Sequence, residues 1–274
     1  MKTLLTKTWM LWVLTTLITL TSVVYQKKTG PTYPVRGAFE QNGTSVKYKL
    51  LRSHETGLNA PVEFEVSGTP VEALLISKRY HSNDEWGVKK FILADNKYKT
   101  DLKELAPAGK MTYRIQLNWS DGKTMKFPGE PVILRYKGAV PLFILIPHIL
   151  FMFIAMFVGT RAALEAFAKK DNAVLFSWIA LISLSIGGLF LGPIVQKYAF
   201  DAYWTGWPIG TDLTDNKTAF SVLFWVFALW KNHKEKTNPK WIIIAGIVLL
   251  SIYLIPHSTL GSEIDYTTIS PIAS

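Results

Sequence analysis

Val140-Pro141-Leu142-Phe143-Ile144-Leu145-Ile146-Pro147-His148 opens a run that continues to Thr160 without a charged residue, and Arg161 closes it. A helix of about 20 apolar residues crosses the hydrocarbon core of a bilayer, so this run reads as a membrane span. Inside it, Leu145-Ile146-Pro147-His148 repeats as Leu254-Ile255-Pro256-His257 in a second apolar run near the end of the chain. An imidazole in lipid is costly, which makes an intramembrane histidine a functional-site candidate. Each histidine directly follows a proline, whose ring removes one backbone hydrogen bond and bends a helix.

Three further apolar runs surround this pair. Thr8 to Tyr25 follows Lys2 and Lys7 and lacks the small-residue cleavage site of a secretory signal, so it is expected to be an uncleaved anchor. Ala173 to Val195 is the third span in sequence. Ala219 to Trp230 is short alone and reaches membrane thickness only if its helix starts near Thr214. The last run extends from Trp241 to about Leu260, with Trp241 and Tyr253 as interfacial anchors.

Charge gives these spans a direction. Lys2 and Lys7, then Arg161, Lys169 and Lys170, then Lys231, Lys234, Lys236 and Lys240 flank alternate span ends. Positive residues collect on the cytoplasmic side, so these segments are expected inside. Residues 26–139, the 196–217 loop and the C-terminus are then outside. The chain carries 30 Lys and Arg against 20 Asp and Glu. No basic helix or Arg-rich stripe accompanies that excess, so anionic lipid headgroups are its expected partners and nucleic acid is not. With no cysteine, the chain can form no disulfide, iron–sulfur cluster or thiol nucleophile.

Between the first two spans the periodicity changes from helical to two. Val46-Lys47-Tyr48-Lys49-Leu50, Val62-Glu63-Phe64-Glu65-Val66 and Tyr113-Arg114-Ile115-Gln116-Leu117 alternate apolar and polar side chains. Asn42-Gly43, Ser67-Gly68-Thr69-Pro70, Asp95-Asn96, Ala108-Gly109 and Asp121-Gly122 supply turns between such runs. About seven short strands at this spacing predict an antiparallel sandwich of immunoglobulin or fibronectin type. In such folds a tyrosine placed like Tyr113 closes a corner onto nearby upstream backbone. The expected architecture is therefore a membrane bundle of five spans plus an exported all-β sandwich. Its parts are residues 1–28 as anchor, 29–138 as sandwich, and 139–274 as a four-helix bundle with outer loop and tail. His54 and His81 lie in polar stretches and read as solvated loop residues.

The outer side gathers the remaining chemistry. If the second and fifth helices pack together, His148 and His257 share a depth and are candidates for binding haem or a transition metal. Phe143, Phe151, Trp204 and Tyr253 are candidate pocket walls for haem. Asp212, Asp215, Glu263 and Asp265 would join the histidines around a metal ion. Asp212 has a second reading at the start of the fourth helix, which Thr211, Asp212 or Thr214 would cap, with Asp215 in its first turn. Phosphate-loop, zinc-helix and nucleophile-elbow motifs do not occur. The sequence thus points to a non-catalytic subunit or assembly factor of a cell-envelope complex, docking through the sandwich. A metal or haem protein is the alternative.

Thr29-Gly30-Pro31-Thr32-Tyr33-Pro34, Gly192-Pro193-Ile194-Val195-Gln196-Lys197-Tyr198, Asp212-Leu213-Thr214-Asp215-Asn216-Lys217-Thr218, and His257-Ser258 with Gly261-Ser262-Glu263 carry a resemblance. They resemble a group of uncharacterised bacterial inner-membrane proteins that bear an exported sandwich domain. The resemblance covers nearly the whole chain. It implies the architecture and an inner-membrane location, and it implies no activity.

Overall fold

The computed structural model describes residues 7–69, 71–233, 238–255 and 263–269. The chain divides into two compact units. One contains the helices, up to Pro31, over Val140–Tyr198 and from Ala202. The other contains residues 32–139 and 199–201 together with the tail segment 263–269. The tail therefore belongs with the sheets and not, as expected, with the bundle.

The helical unit is built from α1 (Thr8–Thr29), α2 (Leu142–Phe167), α3 (Ala173–Leu184), a π-helical segment (Ser185–Leu191), α4 (Gly192–Phe200) up to Tyr198, α5 (Leu213–Lys231) and α6 (Pro239–Leu254). Three of its helical stretches are long and apolar enough to cross a membrane: Thr8–Thr29, Leu142–Phe167 and Ala173–Phe200. The last runs unbroken through the π segment. Among the described residues α6 is shorter, and α5 falls outside that group. α5 does begin at Leu213, close to where its span needs to start.

The buried face of α1 is smaller and more polar than its outward face. α1 buries Leu11, Thr15, Thr19 and Ser22, a mostly small and polar stripe at helical spacing, while Trp9, Val13, Leu17 and Leu20 face outward. Thr15 and Ser22 donate to the carbonyls of Leu11 and Ile18 four residues back, which spares their hydroxyls an unpaired burial. α2 meets α6 through Gly159 and Gly246. A Cβ on Gly159 would lie 2.5 Å from Leu249, and one on Gly246 would lie 2.5 Å from Ala163. Small residues at such contacts let helix backbones approach where no water drives association.

The two copies of the Leu-Ile-Pro-His repeat differ in backbone. Pro147 lies inside α2, and His148 is helical. α6 ends at Leu254, and Ile255 is extended, the conformation favoured before proline. The second copy thus leaves the helix before its proline, and Pro256 and His257 lie outside the described residues.

Among its described residues the sheet unit has ten strands: β1 (Val35–Gln41), β2 (Thr44–Leu50), β3 (Ser53–Glu55), β4 (Ala60–Gly68), β5 (Glu72–Arg79), β6 (Gly87–Lys90), β7 (Ile92–Ala94), β8 (Lys97–Leu102), β9 (Lys110–Asn118) and β10 (Thr124–Lys137). They form two five-stranded sheets, β1-β2-β4-β8-β7 and β3-β10-β9-β5-β6. All pairs are antiparallel except β3 with β10. Asn42 and Gly43 both take positive φ between Gln41 and Thr44, as do Asp95 and Asn96 between Ala94 and Lys97. Both are two-residue turns whose twist matches that of the hairpin strands. β10 loses register between Phe127 and Val132, where Pro128 and Pro131 have no N–H to offer the ladder.

One apolar core draws on both sheets. Val46, Leu50, Val62 and Phe64 from the first meet Leu75, Ile115, Leu117 and Leu134 from the second. Buried aromatic donors tie the sheets across it. The Tyr113 hydroxyl donates to the Leu51 carbonyl at 2.7 Å, Tyr136 to Lys103 at 2.9 Å, and Trp119 Nε1 to Thr44 Oγ1 at 3.0 Å. Tyr113 does not close a local corner, as expected from sequence. It reaches backbone that follows a strand of the opposite sheet. Such ties give a domain without disulfides fixed points between its layers.

Candidate functional site

His148 sits one residue after the proline of α2, and its Nδ1 lies 2.9 Å from the carbonyl oxygen of Gly187. A carbonyl can only accept, so Nδ1 carries the proton and Nε2 of the neutral ring carries the lone pair. Gly187 belongs to the π-helical segment. Pro193, just beyond it, has no N–H to donate, and π segments of this kind recur at functional sites. The sequence thus builds an imidazole of fixed tautomer, oriented by backbone from the next helix.

His148 lines a cavity of about 150 Å³ together with Ser22, Gln26, Met156, Phe153 and Tyr253. The walls come from α1, α2 and α6. Their polar groups are oriented by backbone: Gln26 Nε2 donates to the Tyr253 carbonyl at 2.9 Å, and the Tyr253 hydroxyl to the Met152 carbonyl at 2.6 Å.

Of the residues expected to wall a haem pocket, Tyr253 lines this cavity and Phe143, Phe151 and Trp204 do not. Phe143 is 76% exposed. A volume of about 150 Å³ is also below the roughly 300–1,000 Å³ of ordinary cofactor pockets, so a porphyrin does not fit it. The second imidazole of the expected pair, His257, lies outside the described residues.

The four acidic candidates are each engaged elsewhere. Asp212 caps α5, accepting from Thr214 N at 2.7 Å, as its capping reading has it. Asp215 is buried and accepts from the backbone N–H groups of Thr205 at 2.7 Å and Gly206 at 3.1 Å. It fastens the 202–212 loop onto the first turn of α5. Asn216 adds a bond from Trp207 N at 2.7 Å, and Gln196 reaches Thr205 Oγ1 at 2.7 Å. Lys217, also buried, donates to the Ile255 carbonyl at 3.2 Å.

Glu263 and Asp265 belong to the sheet unit. Glu263 pairs with His81, 2.8 Å away, and with Lys110. Asp265 accepts from the N–H and hydroxyl of Thr267, two residues on, and closes a local turn. The expected metal set is therefore not assembled: among the described residues no three His, Cys, Asp or Glu converge to hold an ion. Three of these carboxylates, Asp212, Asp215 and Asp265, satisfy backbone donors, which is the commoner demand on them.

Sequence reasoning missed the most buried charges. Arg161 was expected to close a span at the cytoplasmic surface, but it is 0% exposed inside the bundle and pairs with Glu165, 2% exposed, one turn later. The guanidinium also lies over the rings of Trp12 and Phe176, at 4.8 and 5.1 Å. The i,i+4 spacing of opposite charges was the available signal. His54 also departs from its solvated reading, because it lies in β3 with its ring edge-on to Tyr136.

A concavity of about 740 Å³ lies on β1, β2 and β4 of the sheet unit. Its rim is made of cross-strand charges such as Lys47 opposite Glu65, a ladder and not a nucleophile with its base. The chain matches no family model and no curated protein, so its function is argued from its own residues.

Proposed function

We infer that this chain is a five-span protein of a bacterial inner membrane that serves as a non-catalytic subunit or assembly factor of an envelope complex. It docks its partner through the β domain. α5 and α6 supply the fourth and fifth spans in this reading, and the alternation of Lys and Arg between span ends supports a cytoplasmic N-terminus and an exported β domain. The order β2-β4-β8-β7 against β6-β5-β9-β10 parallels the A-B-E-D and C′-C-F-G layers of immunoglobulin-like sandwiches, which supports that assignment.

The observation that carries the docking role is the open edge shared by β6 and β7. Each is the outermost strand of its sheet, and each exposes apolar side chains: Val88 at 63%, Ile92 at 74% and Leu93 besides. Unpaired strand edges of this kind are templates for a partner, and monomers usually blunt them. Extraction in several mild detergents followed by native mass measurement tests the role. A stable complex that Ile92→Lys dissolves is expected. Recovery of a lone monomer under every condition would remove it. Reporter fusions at Lys28, Lys170, Ala202, Lys236 and Ser274 test the topology, with out, in, out, in, out expected. An inward C-terminal reporter would overturn the five-span count without touching the docking argument.

A further inference from the structure

We propose that the cavity beside His148 is a binding site for a membrane-soluble phenol or hydroquinone. The ring occupies the cavity, and its hydroxyl donates to Nε2 of His148. The size fits one ring: an apolar cavity of about 150 Å³ in a protein interior takes up benzene, and this cavity has that volume. Phe153 and Met156 give it apolar walls, and a thioether makes favourable contact with an aromatic edge.

The polar chemistry then selects the substituent. Tyr253 and Ser22 donate to backbone carbonyls, and Gln26 Nε2 does the same. Nδ1 of His148 is held by Gly187, which leaves the lone pair on Nε2 as the acceptor of an imidazole that lines the cavity. An apolar ring with one hydroxyl donor satisfies it, whereas an alkane leaves it unpaired. Phe153 and the neighbouring lining residue Ile149 are each more than a third exposed on the outward side of α2. A ligand carrying an apolar tail could therefore seat its ring while the tail stays outside. The site does not depend on the docking role, and either reading can fail alone.

The test uses the full chain in lipid nanodiscs with phenol and toluene as paired probes. In wild type, the ¹⁵N resonance of His148 Nε2 should move on adding phenol and stay fixed on adding toluene, because only phenol donates. In His148→Leu, phenol affinity should fall about tenfold, the loss of one hydrogen bond of roughly 1.4 kcal/mol, while toluene binding persists. Val23 also lines the cavity, and narrowing it with Val23→Trp should abolish both. An unmoved Nε2 resonance in wild type overturns the proposal, and this readout needs no variant to fold. Equal phenol affinity in wild type and His148→Leu overturns it too. So does absence of saturable binding of either probe, the result expected if a lipid acyl chain fills the space.

Discussion

Arg161 and Glu165 stand one turn apart on α2 and form an ion pair that solvent does not reach. Taking two charges from water costs several kcal/mol each, and their attraction repays this only while both are present. Arg161→Met or Glu165→Leu alone should each destabilise the bundle by about 3–5 kcal/mol, and the double replacement should recover most of that loss. Thermal unfolding of the purified full chain reads both effects. Additive losses in the double variant would show that the two residues do not act as a pair.

Tyr113 offers a milder test in the other unit. Tyr113→Phe keeps the ring in the core and removes only the bond to Leu51, with an expected cost of about 0.5–1.5 kcal/mol. Urea titration with a fluorescence probe in the sheet unit measures it. A loss beyond about 3 kcal/mol would mean that the substitution disturbs packing and not just the tie between layers.

Asp101 makes the sheet unit sensitive to acid. A hydrogen bond from Lys89 holds its carboxyl below the ordinary carboxylate range; burial opposes that shift, and Asn59 adds to it. The folded state therefore binds the Asp101 proton less readily than the unfolded chain. The resulting stabilisation is complete above the ordinary value near pH 4 and fades as pH falls through the depressed one. Lys89 lies in β6 and Asp101 in β8, so the pair joins the two sheets beside their open edge. Lys89→Met should lower the unfolding midpoint at pH 7 and leave it equal to wild type in strong acid. A difference that persists unchanged at low pH would assign the effect to packing of the lysine stem.

Asp215→Ala should loosen the 202–212 loop. It strands the N–H groups of Thr205 and Gly206 in a buried place, at about 1–3 kcal/mol for each donor left unpaired. Limited proteolysis should then cut within this loop in the variant and spare it in wild type. Equal protection in both would mean that Asn216 and Gln196 hold the loop without Asp215.

Local patterns in the chain announced most of the fold. The period-two runs became strands, Asn42-Gly43 and Asp95-Asn96 became the tight turns they read as, and a cap formed where Thr211, Asp212 and Thr214 offered one, with Asp212 filling it. These features are decided within a few residues, where side-chain period and backbone preference act directly. What the sequence hid depends on distant neighbours. Arg161 reads as a surface charge until Trp12 and Phe176 cover it. Tyr113 reads as a local corner until Leu51 arrives from the other sheet. The candidate site behaves the same way: His148 was visible as a costly residue, but helix depth says nothing of rotation, and only Gly187 fixes which nitrogen holds the lone pair. The two Leu-Ile-Pro-His copies look alike on paper because four residues do not encode where a helix stops.

The tail segment at Tyr266 has a consequence for how the chain is made. Tyr266 bridges to Ser82, donates its N–H to the His81 carbonyl at 3.1 Å, and lays its ring under the Arg79 guanidinium at 4.6 Å. All the helices after the sheets lie between those partners in sequence. A ribosome that has finished the strands must still deliver α2 through α6 before this clasp can close. The turn after β5 therefore waits, with the Arg79–Asp84 pair lacking its aromatic cover, until α6 has been made. Closure of this turn is thus timed by the making of the helices that separate its two sides in sequence.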